Sequence, residues 1–194
     1  NLYLDPPDFR LIRRSLEKPV YKEKLRLRSY GRADREHPVF MELKKKYRSI
    51  VYKRRLTLPY GRALDCLTGD CPWPETQIGR EIGYAMDFYP DLEPRVFLSY
   101  ERDSWYAPES GLRITFDDAI RFRTADLTLD SDLWGTALLR PDQVLMELKA
   151  PGAIPLWMVR LLTEMGLYKT SFSKYGTAYQ ILLEQEYKGG KRYA

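Results

Sequence analysis

Basic side chains recur at every second position of several short segments, and this alternation constrains the fold more than any other feature of the sequence. In the segment 21–30, Lys24, Arg26 and Arg28 alternate with leucines. Successive side chains of a β-strand point to opposite faces of its sheet, so these cations share one face and the leucines share the other. The pattern predicts a strand with one apolar face and one positively charged face.

Pairs of residues with the same spacing occur in later segments. These pairs are Glu42 with Lys44, Lys53 with Arg55, Tyr100 with Arg102, Arg113 with Thr115, Arg121 with Arg123, and Glu147 with Lys149. Like charges on neighbouring strands destabilise a sheet unless another charge offsets them. A bound polyanion would offset them, and a closed barrel would concentrate the positive field. The alternation therefore favours a polyanion site over a scaffold whose basic strands face only solvent.

Hydrophobic periodicity and breaker residues divide the chain into short elements. Predicted strands cover 1–5, 21–30, 39–46, 49–58, 95–104, 111–117, 119–123 and 144–149. Predicted helices cover 9–16, 62–67, 76–88, 155–166 and 173–187. This succession predicts an α+β fold, an antiparallel β-barrel or strongly curved sheet with flanking helices. We expect a single domain over 1–194, with a helical insert at 59–90.

Other kinds of functional site lack the residues that they need. The sequence contains no G-x-x-x-x-G-K-[ST] motif, which excludes a P-loop. His37 is the only histidine and precedes Pro38 in a turn, so no persuasive Ser-His-Asp arrangement can be assembled. Cys66 and Cys71 have no second Cys/His pair to complete a zinc site.

Charge, cysteine content and hydropathy bear on partners and compartment. The formal net charge of +5 permits an anionic partner without requiring one. Two cysteines are too few for a disulfide framework and suit a reducing compartment. No apolar run reaches the length of a membrane span. We therefore expect a soluble, cytoplasmic chain without a membrane segment.

Two carboxylates, Glu42 and Glu147, interrupt the basic faces, each two residues before a lysine. They could form ion pairs with those lysines. They could also hold Mg²⁺ or Mn²⁺ beside a phosphate, because both ions prefer hard oxygen ligands. The spacing leaves both interpretations open.

Several short motifs follow one another in an order that resembles a known family. They are Lys24-Leu-Arg-Leu-Arg-Ser-Tyr-Gly31, Val39-Phe-Met-Glu-Leu-Lys44, Val51-Tyr-Lys-Arg-Arg55, Arg113-Ile-Thr-Phe-Asp117, Met146-Glu-Leu-Lys149 and Phe172-Ser-Lys-Tyr175. In this order they resemble the VTC domain, the polyphosphate polymerase domain named after the vacuolar transporter chaperone complex. That domain belongs to the triphosphate tunnel metalloenzyme (CYTH-like) superfamily. The resemblance runs from about Tyr3 to Ala178.

The resemblance implies a tunnel of antiparallel strands, with basic side chains pointing inward and a divalent metal, Mn²⁺ or Mg²⁺. It also implies that the γ-phosphate of ATP is transferred to a polyphosphate chain with release of ADP. Such a reaction needs positioned phosphates and nearby cations more than a covalent catalyst. ATP and polyphosphate are therefore the expected partners, while partner subunits are not predicted.

The motif match assigns a role to each matched residue. The catalytic residues that it implies are Arg26, Arg28, Lys44, Arg102 and Lys174. The substrate-binding residues that it implies are Lys53, Arg55, Tyr100 and Ser173, and the alternation adds Lys24, Arg113, Arg121 and Lys149. Glu147 matches the family's metal-binding glutamate, and Glu42 is a second candidate from its spacing.

The main departure from the family pattern concerns its first strand, and several alternative functions remain. The family domain normally opens with a further strand, which does not precede Asn1 here, so we expect the tunnel to lack its first strand or the sequence to be truncated. A triphosphatase would use the same cationic tunnel with water as the acceptor. A non-catalytic polyphosphate-binding module is a further alternative. RNA binding is disfavoured because glutamates interrupt the basic faces, although tyrosines are available for stacking.

Overall fold

Eight strands and five helices make up the described part of the chain, residues 1–48 and 50–190 of the computed structural model. The strands are β1 Leu2–Asp5, β2 Tyr21–Arg28, β3 Pro38–Tyr47, β4 Ile50–Pro59, β5 Glu93–Ala107, β6 Leu112–Arg123, β7 Thr136–Ala137 and β8 Leu145–Lys149. The helices are α1 Arg10–Leu16, α2 Tyr60–Thr68, α3 Gln77–Phe88, α4 Leu156–Glu164 and α5 Lys174–Gly190. Ser49, the predicted start of the strand 49–58, lies outside the described residues.

All of these strands belong to one antiparallel sheet in the order β4-β3-β2-β1-β5-β6. β7 and β8 both pair with the outer edge of β6, β7 at residues 121–122 and β8 at residues 113–117. Within the described residues no strand joins β4 to β8, so both edges of the sheet stay open. The predicted α+β class is confirmed, but the predicted closed barrel is wrong.

Each face of the sheet buries its own apolar cluster. The outer face packs its leucines and Met41 against α2 and α3, the helices that lie in the predicted insert; the contacting residues include Leu25, Leu27, Leu43, Ala63 and Ile82. The opposite face, here called the inner face, carries Arg26 and Glu42. Its apolar cluster packs β1, β5 and β6 against α1 and α5 through residues that include Tyr3, Val96, Leu98, Phe122, Tyr175 and Ala178. The helices therefore cover one end of the inner face and leave its basic part uncovered.

A β-bulge in β6 changes which residues face inward. The sequence predicts two strands at 111–117 and 119–123, whereas the structure has one continuous strand. Asp118 pairs with Glu101 and Arg121 pairs with Ser99, so β6 carries one residue more than β5 at this point. Ala119 accommodates the extra residue with a φ of 43°. Beyond the bulge it is Phe122, rather than Arg121, that joins the inner cluster.

No helix among the described residues is long and apolar enough to cross a membrane.

Candidate functional site

The strand register arranges the predicted cations in rows across the inner face. Paired residues of antiparallel strands lie on the same face. The first row is Lys24, Lys44 and Lys53; the second is Arg26, Glu42 and Arg55; the third is Arg28, Phe40 and Thr57. Alternation predicted a shared face only within each strand. The register shows that the cations of β2, β3 and β4 share one face of the sheet.

Glu42 lies at the centre of the second row and contacts three cations. Its Oε2 is 2.6 Å from Nη2 of Arg26, and its Oε1 is 2.7 Å from Nζ of Lys53 and 2.6 Å from Nη2 of Arg55. Only 2% of the side chain is exposed. Burial alone would raise the pKa of Glu42, but hydrogen bonds from Lys53 and both arginines lower it to about 2. Glu42 thus forms ion pairs, although with cations of the neighbouring strands and not with Lys44 as the spacing suggested, and these contacts leave little room for a metal ion at this carboxylate.

Asp117 of β6 likewise contacts more than one cation, on the other side of the inner face. Its Oδ1 accepts a hydrogen bond from Nε of Arg102 at 2.5 Å, and its Oδ2 accepts one from Nζ of Lys174 at the start of α5. Burial would raise the pKa of Asp117, but these two cations lower it. Both cations also lie against the ring of Tyr100, at 5.0 and 4.5 Å from its centroid.

The site prediction missed Asp117, although the residue belongs to one of the quoted motifs. Period-two alternation with Arg113 and Thr115 places it on the inner face and was the available signal. The Lys174 contact, which spans 57 positions of sequence, had no local signal.

Electrostatic effects between unpaired strands, together with one hydrogen bond, indicate that the sheet curls around the cationic rows. Lys44 belongs to β3, whereas Glu147 and Lys149 belong to β8, which pairs only with β6. Burial lowers the pKa of Lys44, the charges of Arg26 and Lys149 lower it further, and that of Glu147 opposes them. Lys24 of β2 donates a hydrogen bond to Oγ of Ser173 at the start of α5, at 3.2 Å. The start of α5 thus links the two halves of the sheet, Lys24 through Ser173 and Asp117 through Lys174, and the space beside these cationic rows is here called the cleft.

The lysines of this cleft are electrostatically strained. Burial, together with the charges of Lys22 and Lys44, lowers the pKa of Lys24 to about 8. Burial of an ammonium without a carboxylate partner costs free energy, and neighbouring ammonium groups increase that cost. An anion bound in the cleft would remove both penalties.

The low pKa of Lys24 predicts how anion binding depends on pH. A nearby phosphate would raise this pKa, so binding above about pH 8 should take up a proton. Titration of Lys24 should leave the affinity for metal-free tripolyphosphate constant below about pH 8. Above that pH it should weaken the affinity by up to about tenfold per pH unit. Calorimetry in two buffers of different ionisation enthalpy measures the uptake. Lys24→Met should lose it and keep only the uptake of the ligand itself; equal uptake by both proteins at pH 9 would contradict the prediction.

Glu147 is the carboxylate that best fits a metal ion. Its side chain is 47% exposed and contacts Nζ of Lys149 at 3.2 Å. Its register partner, Thr115, has a buried Oγ1 without a hydrogen-bond partner in the described part of the chain. No group of three or more His, Cys, Asp or Glu side chains lies together within the described residues. This donor set suits an ion that takes most of its ligands from phosphates and water, as Mg²⁺ does.

The remaining predicted residues lie further from these contacts. Arg28 stacks on Tyr30, its Cζ 4.4 Å from the ring centroid. Arg113 is exposed and pairs in register with Lys149. The structure does not bring Arg121 to the cleft, because the bulge at Ala119 turns it to the outer face, where its Nη1 donates to the carbonyl oxygen of Gly135 at 3.4 Å.

A comparison with models of protein families shows the family to which the chain belongs. Residues 1–183 match the VTC domain. The chain belongs to the VTC domain family. The expected family is thus confirmed over nearly the whole sequence, and it supports an enzyme with a tunnel for polyphosphate or triphosphate.

Other comparisons add little to the family match of this VTC domain. Among solved structures, it is similar to a Bacillus halodurans protein described as a "putative adenylate cyclase". The two chains are 15% identical, the match covers 89% of this chain and 76% of the other, and the TM-score is 0.49. No curated protein sequence matches.

Proposed function

We propose that this VTC domain is an ATP-dependent polyphosphate polymerase. The observation that carries the proposal is the cleft whose cations exceed its carboxylates, with lysines whose pKa values are lowered by burial and by one another. Such a cleft gains most from a ligand with a row of negative charges, which a polyphosphate supplies along its whole length. Membership of the VTC domain family supports the same substrate class.

In the proposed reaction a terminal phosphate oxygen of polyphosphate attacks the γ-phosphorus of ATP. A new P–O bond forms, the bond from the γ-phosphorus to the bridging oxygen breaks, and its electron pair leaves on ADP. Arg26 and Arg55, held by Glu42, would bind phosphate oxygens as planar forks. Arg102 and Lys174, held by Asp117, would neutralise charge on the transferred group. Fixed cations need no reorganisation during transfer, which is how such sites lower the barrier.

A divalent metal, Mn²⁺ or Mg²⁺, completes the proposal. Glu147 and the neighbouring Thr115 hydroxyl would hold it together with phosphate oxygens. A bound metal would neutralise further charge on the phosphates.

Incubation with ATP and Mn²⁺ tests the proposal against its closest alternative. The polymerase should yield long-chain polyphosphate and release one ADP for each phosphate added to the chain. A triphosphatase would instead release free phosphate from ATP or tripolyphosphate without making a polymer, and that result would overturn the proposed reaction. Glu147→Gln is a suitable control, because it should reduce synthesis at limiting Mn²⁺ more than at saturating Mn²⁺.

Binding experiments separate the enzyme from a non-catalytic module. A module would bind tripolyphosphate without consuming ATP. Competition between tripolyphosphate and RNA addresses a nucleic-acid surface, since displacement of tripolyphosphate by RNA at lower concentration would contradict a phosphate tunnel.

A further inference from the structure

A small aromatic cluster lies at the end of the cationic rows. Phe40 occupies the third row between Arg28 and Thr57, and Tyr30 lies two residues beyond the end of β2. The rings of Tyr30 and Phe40 meet edge to face, with centroids 5.8 Å apart and an angle of 78°. The Cζ atom of Arg28 lies 4.4 Å from the centroid of Tyr30, and that of Arg55 lies 4.8 Å from the centroid of Phe40. Aromatic rings and arginine forks thus alternate at this end.

The cluster is continuous with the predicted phosphate site through Arg55. This side chain contacts Glu42 in the second row and Phe40 in the third. Neighbouring rows of one face are separated by two residues of strand, about 7 Å. A ligand whose phosphates contact Arg26 and Arg55 would therefore have its next chemical group over the third row.

Tyr30 is presented to solvent on an ordered turn. The residue is 59% exposed, although its ring is large and apolar enough to be stabilised by burial. Its carbonyl oxygen lies 3.1 Å from Nε2 of His37, which donates in the Nε2–H tautomer, and Oγ of Ser29 donates to the carbonyl oxygen of Gly31 at 2.8 Å. Gly31 has a φ of 74°, a conformation that glycine adopts without strain. The ring is exposed and held in place, as a stacking platform requires.

We propose that Tyr30, with Arg28 and Phe40, forms a stacking subsite for the base of a nucleoside triphosphate. Base–aromatic stacking needs a ring that is accessible on one face, and an adjacent guanidinium adds a cation–π contribution. Because every base has a π-face, this subsite distinguishes nucleotides from inorganic triphosphate rather than one base from another. The inference rests on the proposed function, since it assumes that the phosphates of the same ligand lie along the second row.

The test compares two ligands that both carry a chain of three phosphates and of which one also carries a nucleoside. Binding of a non-hydrolysable ATP analogue and of tripolyphosphate is measured by calorimetry for the wild type and for Tyr30→Ala. Loss of one stacked base should weaken analogue binding about tenfold, whereas tripolyphosphate binding should change less than about twofold. Tyr30→Phe keeps the ring and should restore analogue binding.

Tyr84→Ala is the matched control, because Tyr84 is an exposed tyrosine on α3, which packs on the outer face. It should alter neither affinity. Equal weakening of both ligands by Tyr30→Ala, or of neither, would overturn the subsite. Failure of the wild type to bind tripolyphosphate would instead refute the proposed function, so the two failures are distinguishable.

Discussion

Replacing Glu42 by glutamine is expected to cause the largest loss of stability among single substitutions at the inner face. The amide keeps the size of the side chain but removes the negative charge that Arg26, Lys53 and Arg55 share. Removing one partner of a buried ion pair costs about 3–5 kcal/mol. The three cations are partly exposed, and screening by solvent reduces the expected loss to about 2–3 kcal/mol. Denaturant unfolding of Glu42→Gln and wild type measures the difference.

Glu147→Gln serves as the control for this measurement, because Glu147 is half exposed and its ion pair with Lys149 should contribute little to stability. Added tripolyphosphate should stabilise Glu42→Gln more than the wild type, since the ligand supplies negative charge beside cations that have lost theirs. If Glu42→Gln unfolds at the same denaturant concentration as the wild type, the ion pairs around Glu42 do not organise the second row.

The largest effect on activity is expected from Arg102→Ala. Arg102 is held on Asp117 beside Lys174, so its fork is fixed before substrate binds. Removing a preorganised cation or donor at a transferring group lowers turnover about 100-fold or more. The rate of ADP release during polyphosphate synthesis measures the change, and denaturant unfolding verifies that the variant is folded.

Arg121→Ala is the matched control for Arg102→Ala. Both arginines were predicted for the cleft, and both lie on the β5–β6 pair, but Arg121 is on the outer face. Its substitution should leave the rate within about twofold of the wild type. A rate for Arg102→Ala close to that of Arg121→Ala would remove Arg102 from the proposed catalytic group.

The sequence predicts the basic face of β2, β3 and β4 well, because strands there are regular and alternation holds along each one. Lys24, Arg26 and Lys44 lie on the inner face as expected. Alternation fails in β6, because one inserted residue at Ala119 exchanges the faces for every residue beyond it. Alternation of residue types cannot reveal an inserted residue such as Ala119, because alanine is not a residue type that marks a bulge.

Local sequence patterns could not predict whether the sheet closes or which residues Asp117 contacts. Strand periodicity gives the face of a residue but not which edges of a sheet meet, so a curved open sheet and a barrel look alike in sequence. Asp117 and Lys174 meet only because α5 returns to the inner face after three intervening elements, β7, β8 and α4. The assignment of individual residues to substrate and metal stays a prediction, as does the single domain over 1–194.

The carboxylates of the cleft have a consequence for the movement of a polymer. Glu42 and Asp117 supply counter-charges that stay with the protein when phosphate leaves, so the five cations that they contact always keep a carboxylate partner. A phosphate chain in the proposed polymerase would therefore share these cations with the two carboxylates. Many weak contacts, instead of a few strong ones, would then hold the phosphate chain. In the proposed polymerase, we expect this sharing to let a product advance by one phosphate per cycle without dissociating.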